Sequence, residues 1–212
     1  LDFAIKIPYR NNLPLIDVKI IGKDSGLEAY SGFENSKTLY VMDCNFCNMK
    51  VVMDSDALIK IAKSSLKDLV VSNISVHISN GVKKESIEEG KAAGFADAIL
   101  LEKNVSLGKI SVVSTGKRKE VEAMIKDLEL EGGEADSIRL FHQGRYDSIV
   151  SDDQKFLDLI DGIGIPFLTP TALIFYLYKI RKLALEEARK CLEKIRPMIS
   201  TEEYSLTMER LK

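Results

Sequence analysis

Carboxylates gather at three points of this sequence where one element stops or the next begins. Asp54-Ser55-Asp56 follows the apolar run Val51-Val52-Met53. Glu134 and Asp136 sit in Gly132-Gly133-Glu134-Ala135-Asp136-Ser137-Ile138, and Asp152-Asp153 closes Ser148-Ile149-Val150-Ser151. Acids in a helix's first turn are favoured by its dipole, and acids just past a strand's carboxyl end lie where open α/β sheets form ligand crevices. Brought together, such groups attract a cation. Asp54 ends a strand that reads as buried on both faces, where a lone carboxylate is costly unless a cation or hydrogen-bond donors accompany it. A structural account of the same residues also exists, since Ser55 or Asp56 makes a good N-cap.

The elements that must position these acids follow from periodicity. Val51 to Met53 is an apolar strand, and Ala57, Leu58, Ile61, Ala62, Leu66 and Leu69 mark one amphipathic helix after it. Ile74 to Ile78 is a strand, Val82 to Ala93 a helix, Ile110 to Val113 a strand and Lys119 to Leu128 a helix, with Leu101 to Gly108 read as an irregular connector. Ala135, Ile138 and Phe141 give a helix that Gly144 closes, and Ser148 to Val150 and Ile165 to Leu168 are the last strands. Strands alternating with helices predict an α/β fold with a mostly parallel sheet over residues 50–170. Before it, Phe3, Ile5 and Ile7 and then Ile16, Val18 and Ile20 alternate with polar neighbours, Asn11-Asn12 supplies a turn, and Leu39 to Met42 is a third strand, so residues 1–49 read as a β-rich extension. Residues 171–212 form a helical tail, read as a cap on the domain or a self-association surface.

With 212 residues, 45% of them hydrophobic, the chain can bury a full core. Its 30 Lys and Arg against 32 Asp and Glu leave a net charge of -2, so any nucleic-acid binding must be local or metal-assisted. The 3 cysteines form no secreted-type disulfide framework, Leu1 to Arg10 carries no signal-peptide pattern, and the greasy run Ala172 to Tyr178 is far short of the ~20 apolar residues of a membrane span. The expectation is a cytoplasmic protein. Cys44 and Cys47 have the spacing of half a zinc site, with no second pair to complete it. His77, inside a strand, and His142, late in a helix, read as ordinary histidines.

Four of these stretches, in order, resemble the PIN-domain nucleases. Val51-Val52-Met53-Asp54-Ser55-Asp56-Ala57-Leu58-Ile59 looks like the family's opening motif, and Val82-Lys83-Lys84-Glu85 like its second acidic position, with Glu88 and Glu89 near enough to take Glu85's place. Gly133-Glu134-Ala135-Asp136-Ser137-Ile138 and Val150-Ser151-Asp152-Asp153-Gln154-Lys155-Phe156 look like the third and fourth. The match covers Lys50 to Pro170 and is similar in particular to a subgroup with the Gly-Glu-Ala signature, a double Asp and a helical tail such as Ala184 to Ile195. The resemblance implies a PIN-like three-layer α/β/α fold. It also implies an Mg2+- or Mn2+-dependent endoribonuclease acting on single-stranded RNA, self-association as a homodimer or higher oligomer, and an inhibitor protein as a partner. Toxin action in a toxin–antitoxin pair, RNA processing and a lapsed ancestral activity are all compatible with it.

An all-oxygen cluster suits Mg2+ or Mn2+, which keep waters and accept phosphate oxygens as further ligands. In this reading Asp54, Glu134 and Asp152 or Asp153 hold the metal, and Glu85 and Asp136 are ligands or anchors behind them. Glu134 and Asp136 point about 200° apart in an ideal helix, so both reach one ion only if the helix starts between them; Glu134 is favoured. Arg139, Arg145 and Lys155 near the acids, and Lys117-Arg118-Lys119, are candidates for phosphate contacts. Two rivals stand beside the nuclease. One is a haloacid-dehalogenase-like phosphatase with Asp54 as nucleophile, which leaves Glu134 unexplained. The other is a catalytically inactive PIN fold that binds nucleic acid or protein.

Overall fold

The computed structural model describes residues 49–211 with their side chains and, before them, the backbone of the strands Phe3–Ile7 (β1), Ile16–Gly22 (β2) and Thr38–Asp43 (β3). Cys44, Cys47 and the turn expected at Asn11-Asn12 lie outside the described residues. The chain divides into two compact units, Leu1–Asn48 and Met49–Lys212. In the first, β1 runs antiparallel to β2 with Ile5 opposite Val18, and β2 runs parallel to β3 with Val18 opposite Leu39.

The second unit is built on a five-stranded sheet of β4 (Met49–Met53), β5 (Ile74–Ser79), β6 (Ile110–Val113), β7 (Ser148–Val150) and β8 (Phe167–Leu168). Its order is β6-β5-β4-β7-β8, and every pairing is parallel. Helices cover both faces of this sheet in a three-layer α/β/α arrangement. That explains the apolar run at its centre: Val51, Val52 and Met53 have no exposed surface, as expected of a parallel strand buried on both sides. Parallel pairing also places every strand's carboxyl end at one edge of the sheet. Met53 lies beside Val150, so the residues that follow β4 and β7 are neighbours.

Three elements differ from the expectations. The helix predicted from Ala57 to Leu69 is two helices, α1 (Ser55–Lys63) and α2 (Lys67–Asn73), because Ser65 turns to a φ of 67° and the Ser64 hydroxyl binds the Ile61 carbonyl. The helix expected from Val82 to Ala93 starts at α3 (Asn80–Lys83), capped by Ser79, and finishes at α4 (Gly90–Ala92). Between them Lys84–Glu89 winds as a π-helix, a form that often marks functional sites. The supposed connector Leu101 to Gly108 belongs mostly to α5 (Ala96–Ser106). Its apolar residues fall on opposite sides, Leu101 fully buried and Ile99 59% exposed, so no helical period is visible in the sequence.

The remaining helices are α6 (Lys119–Asp127), α7 (Gly132–Gln143) and α8 (Gln154–Gly162), then α9 (Pro170–Lys179), α10 (Leu185–Ile195) and α11 (Thr201–Arg210). The greasy run of the sequence is α9, buried from Pro170 to Leu177 and packed against α10, α11 and α1. The tail therefore folds into the same unit as the sheet. No helix among the described residues is long and apolar enough to cross a membrane.

Candidate active site

Asp54 stands at the end of β4, its main-chain N–H bonded to the Val150 carbonyl at 3.0 Å. It is itself the N-cap of α1, its Oδ1 accepting from the Ala57 N–H at 2.8 Å; the cap is thus neither Ser55 nor Asp56, the two residues considered for it. The side chain is 9% exposed. Burial pushes its pKa up to about 7, opposed by the Ser151 hydroxyl and the Ala57 N–H, with repulsion from Asp56 adding to the rise and Lys60 countering it. Sheet pairing with β7 delivers Ser151, Asp152 and Asp153 to the same corner.

The two aspartates after β7 take different tasks. Asp153 is exposed and caps α8, accepting from the Phe156 N–H at 3.0 Å. Asp152 forms an ion pair with Lys60 of α1, and both side chains are largely buried, at 13% and 15% exposure. Burial lowers the Lys60 pKa, while Asp56, Glu203, Asp54 and Asp153 pull it back up. Glu203 comes from α11 and accepts a hydrogen bond from the Thr171 hydroxyl.

Helix α7 begins at Gly132, ahead of both Glu134 and Asp136, so the two side chains diverge. Glu134 faces the corner: burial and then the charge of Asp153 raise its pKa. Asp136 turns the other way, accepting from Arg139 at 2.9 Å and from the Thr115 hydroxyl at 3.3 Å. Its Oδ2 lies so close over Gly81 that a Cβ there would approach it to 2.8 Å. Glu85, on the π-helix, accepts from the Ser55 hydroxyl at 2.8 Å and rests against Gly133, where a Cβ would come to 3.2 Å. Of the alternatives to Glu85, Glu88 pairs with Lys83 and Glu89 with Lys84. Asp54, Glu85, Glu134, Asp152 and Asp153 are thus tied to one region through β4, β7 and the start of α7, while Asp136 anchors its flank.

The basic candidates divide as sharply. Arg139 spends its guanidinium on both oxygens of Glu122, at 2.6 and 2.9 Å, and on Asp136, which leaves it neutralised rather than ready for phosphate. Lys155 is exposed in the first turn of α8, two residues from Asp153. The loop carrying Lys117 and Arg118 is held by a pair of bonds between Gln143 and the main chain of Ser114 and Gly116, and by Arg118 on the His142 carbonyl. Sequence reasoning missed Lys60, Glu203 and Ser151, and the bond of Ser55 to Glu85. Lys60 had one available signal, its position four residues after Asp56 on a helix face; Glu203 had none, since α11 is far away in sequence.

No three His, Cys, Asp or Glu side chains among the described residues are gathered as a ready-made metal ligand set. The donors still fit a hard divalent cation in kind, because Asp54, Glu134, Asp152 and Asp153 offer only oxygen. Burial also raises the pKa of Asp54 and Glu134, a penalty on their charged forms that a bound cation would offset.

A family model described as a PIN domain, DUF3368, matches residues 50–205. The chain belongs to this PIN-domain family. PIN domains are in general nucleases that use divalent metals, and the match runs beyond the sheet through α9 and α10 into α11. Among solved structures, the PIN domain is similar to PAE2754 from Pyrobaculum aerophilum at 14% identity and a TM-score of 0.46, over 62% of this chain and 91% of that one. No curated protein matches the chain.

Proposed function

We propose that this PIN domain is a divalent-cation-dependent endonuclease that hydrolyses phosphodiester bonds of single-stranded RNA. The observation that carries this reading is the meeting of Asp54 with Asp152 and Asp153 at the paired ends of β4 and β7, faced by Glu134 across from Asp153. Asp54, Glu134 and Asp153 would hold Mg2+ or Mn2+, with Asp152 beside them. When bound, the ion supplies a polarised water and charge stabilisation at the phosphate. Asp54 is fixed for this by its capping bond to Ala57, so it need not reorganise on binding. Glu85 orients Ser55, and through Ser55 the start of α1. Lys155 offers a positive charge to the substrate backbone next to the acids, and Lys117 and Lys119, which follow β6, are further candidates for phosphate contacts. The acid set lies over the carboxyl ends of the strands, which is where an α/β sheet opens a crevice.

The test is cleavage of a labelled single-stranded RNA in Mn2+ or Mg2+. Activity should vanish in EDTA and in Asp54→Asn protein, and full activity in EDTA would reject the metal mechanism. One observation favours a second reading, a binding module whose catalysis has lapsed: the Lys60–Asp152 pair already places a cation among the acids. That reading expects RNA binding without cleavage under any divalent ion.

A further inference from the structure

Lys60 is a charge out of place on the ordinary rules. Lysine is seldom buried, because its ammonium is strongly hydrated and its stem costs entropy to fix. Here it is largely enclosed in an ion pair with Asp152. The acids whose charges act on it come from three parts of the chain: Asp54 and Asp56 from the β4–α1 junction, Asp153 from the β7–α8 junction and Glu203 from α11. Glu203 is steadied by the Thr171 hydroxyl, which is itself bonded to that of Thr169, the cap of α9. Asp152 is the acid in direct contact with the ammonium, and the others act on it through their charge. Among the described residues they form no three-acid ligand set of their own.

We infer that Lys60 is a resident counter-ion of the acidic centre, holding Asp152 and competing with the divalent ion for it. The inference rests on the metal-dependent reading above but concerns the ion alone. A fixed positive charge within several ångströms repels an incoming dication, so metal affinity is set lower than the acids alone would give. Asp152 then serves as the partner of Lys60, and Asp153 is left to face Glu134 and the metal. Glu203 makes α11 part of this balance, because its charge acts on the same ammonium.

The measurement is calorimetric titration of Mn2+ into the whole protein, without RNA. Removing the charge in Lys60→Gln should tighten Mn2+ binding by about tenfold or more, while Lys60→Arg, which keeps it, should bind as weakly as the wild type. Should the Gln variant fail to fold, Lys60→Met retains the buried stem and replaces it. Mn2+ bound by the Gln or Met variant but not by the wild type would support the inference and remove the native chain's metal-dependent activity. Equal affinity in wild type and charge-removed variants would overturn the inference and leave the nuclease reading standing. Binding by none of them would overturn both.

Discussion

Glu134 and Asp136 lie two residues apart on one helix, and the fold gives them opposite surroundings. Asp136 is matched by Arg139 and Thr115, and Arg139 is matched again by Glu122, so that flank of the site is electrically closed. Glu134 looks toward Asp153 with burial and repulsion both raising its pKa, and Asp54 across the corner is raised to about 7. Acids that hold structure are paired within the protein. At Asp54 and Glu134 burial instead penalises the charged form, which costs stability until a cation arrives.

The strongest way to break this contrast is at Asp54. Asp54→Asn should abolish Mn2+-dependent RNA cleavage, yet in EDTA it should raise the melting temperature by a few degrees, since it removes a buried charge while an amide oxygen can still cap α1. A matching loss in Arg139→Ala, with cleavage gone and the fold intact, would erase the distinction.

Next comes pH. In the chelated protein Asp54 is protonated in both folded and unfolded chains below about pH 4. From there to about pH 7 the unfolded chain ionises it while the folded chain does not. The unfolded state therefore binds fewer protons across that window, and stability falls as pH rises through it. Denaturant midpoints measured from pH 4 to 7 should show the fall, Asp54→Asn should flatten it, and saturating Mn2+ should reverse it.

A smaller effect separates the two basic residues expected at the substrate. Lys155→Ala should weaken RNA binding and reduce the slope of log affinity against log salt by about 1. Arg139→Ala should leave that slope unchanged and instead lower the melting temperature by a few degrees, because it leaves Glu122 and Asp136 without their partner. The smallest effect is expected at Gly133→Ala, whose Cβ would press Glu85 from 3.2 Å; a few-fold drop in cleavage with unchanged RNA affinity would show that the position of Glu85 matters.

How much was legible in the sequence varies with the range of the cause. The strand cores were readable because a strand buried on both faces needs an unbroken apolar run, as at Val51 to Met53. The carboxylates at Asp54, Glu134 and Asp152-Asp153 were readable because they stand at element ends. Helix α5 was not, since Leu101 and Ile99 obey neighbours on different sides rather than a helical period. The break at Ser65 was hidden too, because a single residue in the left-handed region leaves the apolar spacing on either side intact.

By itself the sequence determined which residue types stand at the strand ends, and with them an oxygen-only chemistry. Tertiary structure alone decided which acids share an environment. Parallel pairing of β4 with β7 joined Asp54 to Asp152 across nearly a hundred residues, and the start of α7 at Gly132 turned Glu134 inward and Asp136 away. It also brought Lys60 and Glu203 to the same acids. Electrostatic energy depends on distance in space, and a chain's local pattern carries no record of which distant charges will become neighbours.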